Sequence, residues 1–230
     1  MRDRITAVLF DLDGTLLDSA PDLGFAANQL RIARGMQPLP LAAYRPFVGT
    51  GARGMLKIAL GITPDANGFD WLKEEFFLAY ENCMGQHSQL FDRVPQLLQG
   101  LDTHGLSWGV VTNKSERFAL PITQSLASLS LADVVICGDT TCHSKPHPAP
   151  LWEAAKRIGV APEQCIYVGD DERDMIAARA AGMCAVAAAY GYLGGVESVL
   201  EWSPYFVIHE PFELFLLLGL SQAQAIPEEL

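Results

Sequence analysis

Residues 5–15 read ITAVLFDLDGT, a short apolar run that ends in two acids, a glycine and a threonine. The apolar part, residues 5–10, has the length and continuity of a strand that is buried on both faces of a parallel sheet. Asp11 and Asp13 follow it directly, at the expected carboxyl end of that strand. Ligands bind at this end of the strands in open α/β sheets. The stretch therefore predicts both a fold class and the place of a functional site.

Similar apolar runs recur along the chain, at residues 107–111, 133–137, 165–168, 184–189 and 205–208. Helical patterns separate them, at residues 94–104, 116–129, 150–159 and 172–181. Strands that alternate with helices predict an α/β fold whose core is a Rossmann-like parallel sheet. A late apolar stretch, residues 212–220, is too short to span a bilayer and predicts a helix that docks on this core.

The segment 18–90 interrupts this alternation. It contains no convincing strand, and its longer patterns, at residues 22–34 and 71–84, have helical spacing. We interpret it as a helical cap domain inserted after the first strand. The core domain then consists of residues 1–17 and 91–230.

The composition limits the expected partners and location. The chain has 27 acidic and 16 basic residues and a net charge of −11, so no basic surface is available to bind nucleic acid or an anionic membrane. A small anionic substrate would need a locally positive pocket. The five cysteines are scattered without a CxxC pair, and the N-terminus meets acids too early for a signal peptide. These features predict a cytoplasmic protein; they do not indicate its oligomeric state.

Polar residues follow the other apolar runs as well. The second run is followed by Thr112 and Asn113, and Lys145 lies in a loop after the third. The fourth is followed by a group of acids that comprises Asp170, Asp171 and Asp174. Because the carboxyl ends of parallel strands meet at one edge of a sheet, these side chains are expected to converge there with the two acids of the first run.

These residue types suit phosphoryl transfer. Asp11 is placed to attack phosphorus and form an acyl-phosphate, which divides hydrolysis into two easier steps. Asp13, two residues on, points to the same side of an extended chain and can act as the general acid and base. Acids close to a phosphate need a cation, and hard oxygen ligands select Mg²⁺. Asp170 is the expected further metal ligand, with Asp171 and Asp174 as additional ligands or as residues that support them.

The remaining candidates would hold the phosphate. Thr112 and nearby backbone N–H groups can bind its oxygens, and Lys145 can offset the negative charge. Gly14 and Asn113 are the candidate substrate-binding residues beside them. Each motif alone also has a structural explanation, since DxDG favours a tight turn and the later acids can cap a helix. Their combination and order along the chain favour the catalytic interpretation.

With these motifs the sequence resembles the haloacid dehalogenase-like hydrolase superfamily over nearly its whole length. The matching motifs are residues 11–15, Thr112-Asn113, Lys145-Pro146 and Gly169-Asp170 with Asp174. The resemblance implies that Asp11 is the nucleophile and Asp13 the acid and base. It also implies that Mg²⁺ is held by Asp11, the Asp13 carbonyl and Asp170, and that the helical insertion is a cap.

Parts of the chain also resemble individual branches of that superfamily. Residues 110–114, 168–171 and 179–182 look most like phosphoglycolate phosphatases, and they are equally similar to bacterial N-acetylmuramic acid 6-phosphate phosphatases. Trp108-Gly109 and residues 117–119 are slightly closer to the second branch. The resemblance implies a phosphatase of a small phosphorylated metabolite, with phosphoglycolate as the first candidate and N-acetylmuramic acid 6-phosphate as the alternative.

Residues 49–54 read GTGARG and match the GxGxxG dinucleotide pattern. A dinucleotide fingerprint follows a strand in a βαβ unit, whereas this one lies in the helical insertion. A cap loop is the preferred interpretation, from which Arg53 could reach a substrate carboxylate or another polar group. An ordinary surface arginine on the next helix is an equally good explanation. Lys114 and Arg117 could face the cap and the substrate, but a solvated helix start is the preferred interpretation.

The alternative from another class is a phospho-accepting signalling or binding protein without metabolic turnover. Phospho-accepting signalling domains use similar acids, a hydroxyl and a lysine to hold an aspartyl-phosphate without metabolic turnover. Such domains lack an acid two residues beyond the phosphorylated aspartate, where this chain has Asp13. The acid in that position favours hydrolysis.

Overall fold

The strands occur in two sheets of the computed structural model, which describes residues 5–195 and 198–220. In chain order they are β1 (Ala7–Phe10), β2 (Leu17–Asp18), β3 (Gln89–Leu90), β4 (Ser107–Val111), β5 (Val134–Ile136), β6 (Cys165–Gly169), β7 (Cys184–Ala188) and β8 (Phe206–Ile208). Six of them form a parallel sheet in the order β5-β4-β1-β6-β7-β8, and β2 pairs with β3 in an antiparallel ladder. The predicted α/β fold with a parallel core sheet is confirmed.

From β3 to β7 one helix separates each pair of successive strands, as expected, whereas four helices lie between β2 and β3 and one follows β8. In chain order they are α1 (Ala20–Ile32), α2 (Leu41–Tyr44), α3 (Gly51–Leu60), α4 (Phe69–Glu81), α5 (Val94–Thr103), α6 (Glu116–Ser125), α7 (Ala149–Ile158), α8 (Glu172–Ala181) and α9 (Glu213–Leu218). α6 ends four residues before the predicted boundary, because Leu126 adopts an extended conformation. None of the helices in the described part of the chain is long and apolar enough to cross a membrane.

The register of the sheet brings the strand ends together. β1 lies between β4 and β6, with Phe10 beside both Val110 and Val168. All four residues of β1 are buried, and they alternate between two apolar clusters on the two faces of the sheet. Because β1 is central and covered on both faces, the residues that follow it are fixed at the middle of the sheet edge.

Helices α1 to α4 lie between β2 and β3 and constitute the insertion. The expectation of no strand in residues 18–90 is wrong, since Asp18 and residues 89–90 form the antiparallel ladder where the insertion begins and ends. Two-residue strands are too short to show an alternating pattern. The division into a core and a cap stays a prediction, and the predicted core segments extend into residues 1–4, 196–197 and 221–230, which lie outside the described residues.

The segment that contains GTGARG also differs from the expected loop. A 3₁₀ helix, Arg45–Thr50, leads directly into α3, and Arg53 lies exposed in the first turn of α3. Gly51 has a φ of 62° as the chain passes from one helix to the other. At Gly54 a β-carbon would overlap the Thr50 side chain. The glycines therefore permit a tight helix junction, a local requirement that the motif pattern does not reveal.

Candidate active site

The Asp11 carboxylate, directly after β1, is held through one of its two oxygens. Oδ1 accepts a hydrogen bond from the Leu12 backbone N–H at 2.7 Å and lies 3.0 Å from Lys145 Nζ. Within the described residues, no hydrogen bond or ion pair reaches Oδ2. One oxygen is thus fixed, and the other keeps free lone pairs in a residue that lines a cavity of about 490 Å³.

Lys145 is buried at the centre of this group. Its ammonium lies 2.7 Å from Asp174 and donates to the Val111 carbonyl at 2.9 Å and to the Tyr167 hydroxyl at 2.7 Å, besides contacting Asp11. Burial lowers the pKa of Lys145, but the carboxylates of Asp11 and Asp174 raise it more, so the net shift is upward. The ammonium is therefore charged and offsets part of the negative charge around it.

The loop that carries Lys145 is fixed by Asn113. The side-chain amide of Asn113 donates to the Lys145 carbonyl and accepts from its backbone N–H, both at 2.9 Å. Thr112 ends β4 and accepts a hydrogen bond from the Lys114 backbone N–H at 3.1 Å. Asn113 and Thr112 both line the cavity, and their roles in holding a phosphate stay predictions.

Asp170 follows β6 and is almost completely buried, with 4% of its surface exposed. It accepts hydrogen bonds from the Thr15 hydroxyl at 3.1 Å and from the Tyr192 backbone N–H at 2.7 Å. No basic side chain among the described residues forms an ion pair with it. Burial, followed by the nearby charges of Asp11 and Asp174, raises the pKa of Asp170 well above its ordinary value. A cation bound beside this carboxylate would oppose that shift and favour the ionised form.

Gly14 makes this arrangement possible. Its φ is 86°, and a β-carbon at this position would overlap the Asp170 carboxylate. The loop after β1 can therefore approach the end of β6 only with a glycine at this position.

Three carboxylates form a cluster that fits a divalent metal ion. Oxygen atoms of Asp11, Asp170 and Asp174 all lie within 4.8 Å of one another, and two of these side chains are buried. Burial raises the pKa of Asp174 to about 7, although Lys145 opposes this shift. Among the described residues, Lys145 is the only basic residue that pairs with these carboxylates. One positive charge cannot balance three carboxylates, so negative charge stays uncompensated. An all-oxygen set of this kind suits Mg²⁺.

Asp171 and Asp174 also begin α8. Asp171 is the N-cap and accepts from the Arg173 backbone N–H, and Asp174 accepts from the Asp171 backbone N–H at 3.1 Å, which completes a capping box. Asp171 additionally pairs with the Arg173 side chain at 2.7 Å. The three-carboxylate cluster does not include Asp171, whereas Asp174 belongs to it.

Asp13 lies beside this cluster in a different environment. Its carboxylate accepts hydrogen bonds from the Ser19 hydroxyl and from Lys114 Nζ, which lies 3.0 and 3.1 Å from its two oxygens. The Lys114 ammonium also lies 4.9 Å from the centre of the Tyr80 ring on α4. Lys114 is thus not the solvated residue that the sequence led us to expect: only 8% of its side chain is exposed, because Asp13 and Tyr80 enclose it.

Arg117 is exposed at the start of α6, as expected, and it also contacts the insertion. Its guanidinium pairs with Glu74 at 2.8 Å and with Glu81 at 2.6 Å, both on α4. Arg173 donates to the Gly49 carbonyl, so a second arginine of the sheet region contacts the insertion. Such contacts depend on elements far apart in sequence, which explains why a local pattern did not predict them.

A cavity of about 490 Å³ joins the sheet edge to the insertion. Its wall includes Asp11 and Asp13 from the sheet region and the segment 48–53 from the insertion. The basic residues around it are Arg53, Lys114, Lys145 and Arg173. The last three are paired with carboxylates, whereas no hydrogen bond or ion pair within the described residues involves the Arg53 side chain. Arg53 is therefore the cation in this wall that is available to an anionic ligand.

Several residues of the site had no signal in the sequence. Tyr167 lies inside β6 and connects Lys145 to the Val111 carbonyl. Tyr192 lies far along the chain, yet its backbone N–H binds Asp170 and its hydroxyl binds Asp18 at 2.9 Å. Thr15 ends the first motif, and its position in the sequence does not predict its hydrogen bond to Asp170. These side chains orient the charged groups through long-range contacts, so only the fold places them.

Comparison with known proteins agrees with this geometry. The family profile described as haloacid dehalogenase-like hydrolase matches residues 8–188. A phosphoglycolate phosphatase of Xanthomonas campestris is 48% identical over 209 residues, which cover 91% of this chain and 94% of that protein. An N-acetylmuramic acid 6-phosphate phosphatase of Pseudomonas aeruginosa is 38% identical over 217 residues, covering 94% and 96% of the two chains.

A solved structure shows the same arrangement of elements. The crystal structure of a predicted phosphoglycolate phosphatase from Haemophilus somnus superposes with a TM-score of 0.83 at 26% identity. The match covers 93% of this chain and 98% of the other. The similarity therefore extends over both the sheet and the insertion.

Proposed function

The chain belongs to the haloacid dehalogenase-like hydrolases, and on that premise we propose that it is a Mg²⁺-dependent phosphatase of small, anionic phosphomonoesters. The observation that supports this proposal best is that two aspartates in one cavity have different hydrogen-bond and ion-pair partners. Asp11 is held by Lys145 and keeps a free oxygen, whereas Asp13 is separately held by Ser19 and Lys114. A nucleophile and a proton carrier are the two groups that hydrolysis through a covalent intermediate requires.

In the first step Asp11 Oδ2 attacks phosphorus, and the bond between phosphorus and the leaving oxygen breaks. Asp13 gives its proton to that oxygen, so the product leaves as an alcohol and not as an alkoxide. Lys145, beside Asp11, offsets charge on the nucleophile and on the phosphoryl oxygens. Thr112 and neighbouring N–H groups bind the same oxygens.

In the second step water attacks the aspartyl-phosphate and Asp13 takes the proton. Inorganic phosphate is released and the Asp11 carboxylate is restored. Lys114 supports both steps, because its ammonium donates to the Asp13 carboxylate and holds it in position.

Asp11, Asp170 and the Asp13 carbonyl would hold Mg²⁺, with Asp174 as a further ligand or a support. When bound, the ion would neutralise the clustered carboxylates and the charge of the phosphate. Asp170 fits this role because it is buried, ordered by two hydrogen bonds and without a basic partner among the described residues.

The finer assignment concerns the leaving group. The relatives named above act, by their names, on phosphoglycolate and on N-acetylmuramic acid 6-phosphate, and both compounds carry a carboxylate. Sequence identity favours phosphoglycolate, with 48% against 38% for the alternative. We propose that a carboxylate in the leaving group is the feature this chain recognises. All five cysteines are free, which agrees with the proposed cytoplasmic location.

The test of the function is steady-state release of inorganic phosphate. Phosphoglycolate, N-acetylmuramic acid 6-phosphate and p-nitrophenyl phosphate are each incubated with the purified chain and Mg²⁺. Many turnovers per protein molecule are expected. Incorporation of a single phosphoryl group without release would instead identify a phospho-accepting protein and contradict the proposal.

Asp13→Asn is expected to leave substrate binding intact and to lower kcat at least about a hundredfold, the usual contribution of acid–base catalysis. The loss should be smallest for p-nitrophenyl phosphate, whose leaving group needs little protonation. Measuring kcat for all three substrates checks this. An equal loss on each of them, with an unchanged melting temperature, would contradict the assignment of Asp13 as the acid.

Arg53→Ala is expected to lower kcat/KM strongly for the carboxylate-bearing substrates and little for p-nitrophenyl phosphate. A lost charge-assisted hydrogen bond costs about 1.5–3 kcal/mol, roughly ten- to hundredfold. Lys57→Ala is the matched control, because Lys57 is exposed on the same helix and does not line the cavity. Equal losses for Arg53→Ala on every substrate would show that Arg53 supports the structure or the phosphate itself.

A further inference from the structure

Arg173, in the first turn of α8, joins the sheet region to the insertion. Its guanidinium binds the Asp171 carboxylate through two nitrogens, with Nε at 2.7 Å and Nη2 at 2.9 Å. The same Nη2 also donates to the Gly49 carbonyl, which belongs to the 3₁₀ helix Arg45–Thr50. The hydrogen bond to Asp171 raises the pKa of Arg173, so the guanidinium stays charged. The proposed steps of catalysis do not use this arginine.

The pair formed by Asp171 and Arg173 is held from both sides. Asp171 is fixed as the N-cap of α8 by the Arg173 backbone N–H at 2.9 Å. A β-carbon on Gly49 would lie 3.4 Å from the Asp171 carboxylate and 3.5 Å from the Arg173 guanidinium, so the backbone of Gly49 packs directly on the pair. The planar fork of an arginine can bind a carboxylate and a carbonyl in this way at the same time.

The opposite end of the 3₁₀ helix is held as well. Arg45 pairs with Asp18 at 2.6 Å, and its guanidinium lies 5.6 Å from the centre of the Tyr192 ring. The Tyr192 backbone N–H in turn binds Asp170. Both ends of this helix are therefore tied to residues that adjoin Asp170, one end through Tyr192 and the other through the arginine of α8.

The segment held in this way carries Arg53. The 3₁₀ helix continues into α3, where Arg53 lies in the first turn and lines the cavity. Glycines at positions 49 and 51 flank Thr50, and they restrict the backbone less than any other residue. Hydrogen-bond geometry in a 3₁₀ helix is also poorer than in an α-helix. The direction in which α3 begins therefore depends on contacts with the rest of the molecule.

We propose that Arg173 is a positioning residue. Held by Asp171, it fixes the Gly49 carbonyl and thereby the place of Arg53 in the cavity wall, and it does not touch the substrate itself. This role also explains why Asp171 lies outside the three-carboxylate cluster, since its carboxylate is engaged with the guanidinium. The inference rests on the proposed phosphatase function and adds to it a residue that supports specificity from outside the reacting groups.

Hydrogen exchange measured by mass spectrometry tests the link without substrate or metal. Arg173→Gln removes the charge and the fork but keeps a polar residue of similar helix propensity. We expect amides in residues 45–56 to exchange roughly tenfold faster or more, the effect of losing a charge-assisted hydrogen bond. Arg179→Gln is the matched control, because Arg179 lies on the same helix, donates to the Trp202 and Ser203 carbonyls and does not line the cavity.

Asp171→Asn separates the bridge from the helix cap. Asparagine is as good an N-cap as aspartate, so α8 should exchange as in the wild type. The neutral amide holds the guanidinium less firmly, and residues 45–56 should therefore exchange faster, by a smaller factor than in Arg173→Gln. Wild-type exchange of residues 45–56 in Arg173→Gln would overturn the proposal.

Kinetics with Mg²⁺ test whether the link acts through Arg53. Arg173→Gln should lower kcat/KM about tenfold for phosphoglycolate and change it little for p-nitrophenyl phosphate, which has no carboxylate for Arg53 to bind. The double variant of Arg53→Ala with Arg173→Gln should lose no more than Arg53→Ala alone, because nothing remains to be positioned. Losses that multiply in the double variant, or equal losses of Arg173→Gln on both esters, would overturn the positioning role.

Failure of this inference differs from failure of the proposed function. If the wild type released phosphate from neither ester, the phosphatase function itself would fail. The exchange experiment would still decide whether Arg173 holds the segment, because it requires no turnover.

Discussion

Replacing Asp11 by Asn is expected to abolish both turnover and the phosphoenzyme. The amide is isosteric with the carboxylate but is a poor nucleophile, so no bond to phosphorus forms. The change also removes one of the two carboxylates that neutralise Lys145, while Asp174 remains 2.7 Å from it. The fold should therefore survive, and the defect should be chemical.

The measurement combines phosphate release with mass spectrometry of protein quenched in acid during turnover. Wild-type protein should carry a phosphoryl group on the peptide that contains Asp11, and the variant should carry none. Asp92→Asn is the matched control, because Asp92 is an exposed acid outside the cavity and should retain full activity. Normal turnover by Asp11→Asn would show that the covalent mechanism is wrong.

The position of the candidate site was predictable from the sequence for a simple reason. β1, β4 and β6 each consist of an apolar run with polar residues directly after it, and parallel strands bring such ends to one edge. Local order in the sequence is then sufficient to predict that Asp11 and Asp170 meet. The structure places their oxygens, with those of Asp174, within 4.8 Å.

The environment of Lys114 was not predictable in this way. In the sequence it is a lysine that precedes a helix, a position where solvated lysines are common. Its burial depends on Tyr80, which lies in α4 and reaches Lys114 only after the insertion packs on α6. Partners that belong to different parts of the chain leave no local periodicity to recognise.

The GTGARG segment shows a different difficulty, because its local pattern is compatible with several structures. Glycines are compatible with a loop, with a dinucleotide site and with a tight helix junction. The close contact between Gly54 and Thr50 shows that the segment is a helix junction. This contact exists only when both helices have formed. The placement of Arg53 on α3 follows from this contact and not from the motif.

Asp170→Ala is expected to remove activity to the same extent as a chelator does in the wild type. In the wild type, excess EDTA should abolish phosphate release, and added Mg²⁺ should restore it. In the variant, Mg²⁺ should restore nothing, because Thr15 and Tyr192 then orient no carboxylate. Full turnover of the wild type in excess chelator would contradict the metal assignment.

A second readout of the metal does not depend on catalysis. A ligand that binds only the folded chain raises its stability, by about 2.7 kcal/mol at a hundred times the dissociation constant. Mg²⁺ should therefore raise the melting temperature of the wild type and also that of Asp92→Asn. It should not raise that of Asp170→Ala, in which the cluster retains only Asp11 and Asp174. The metal-free variant should melt no lower than the metal-free wild type, because a buried carboxylate that repels two others has been removed. An equal Mg²⁺-dependent shift in Asp170→Ala and the wild type would place the ion elsewhere.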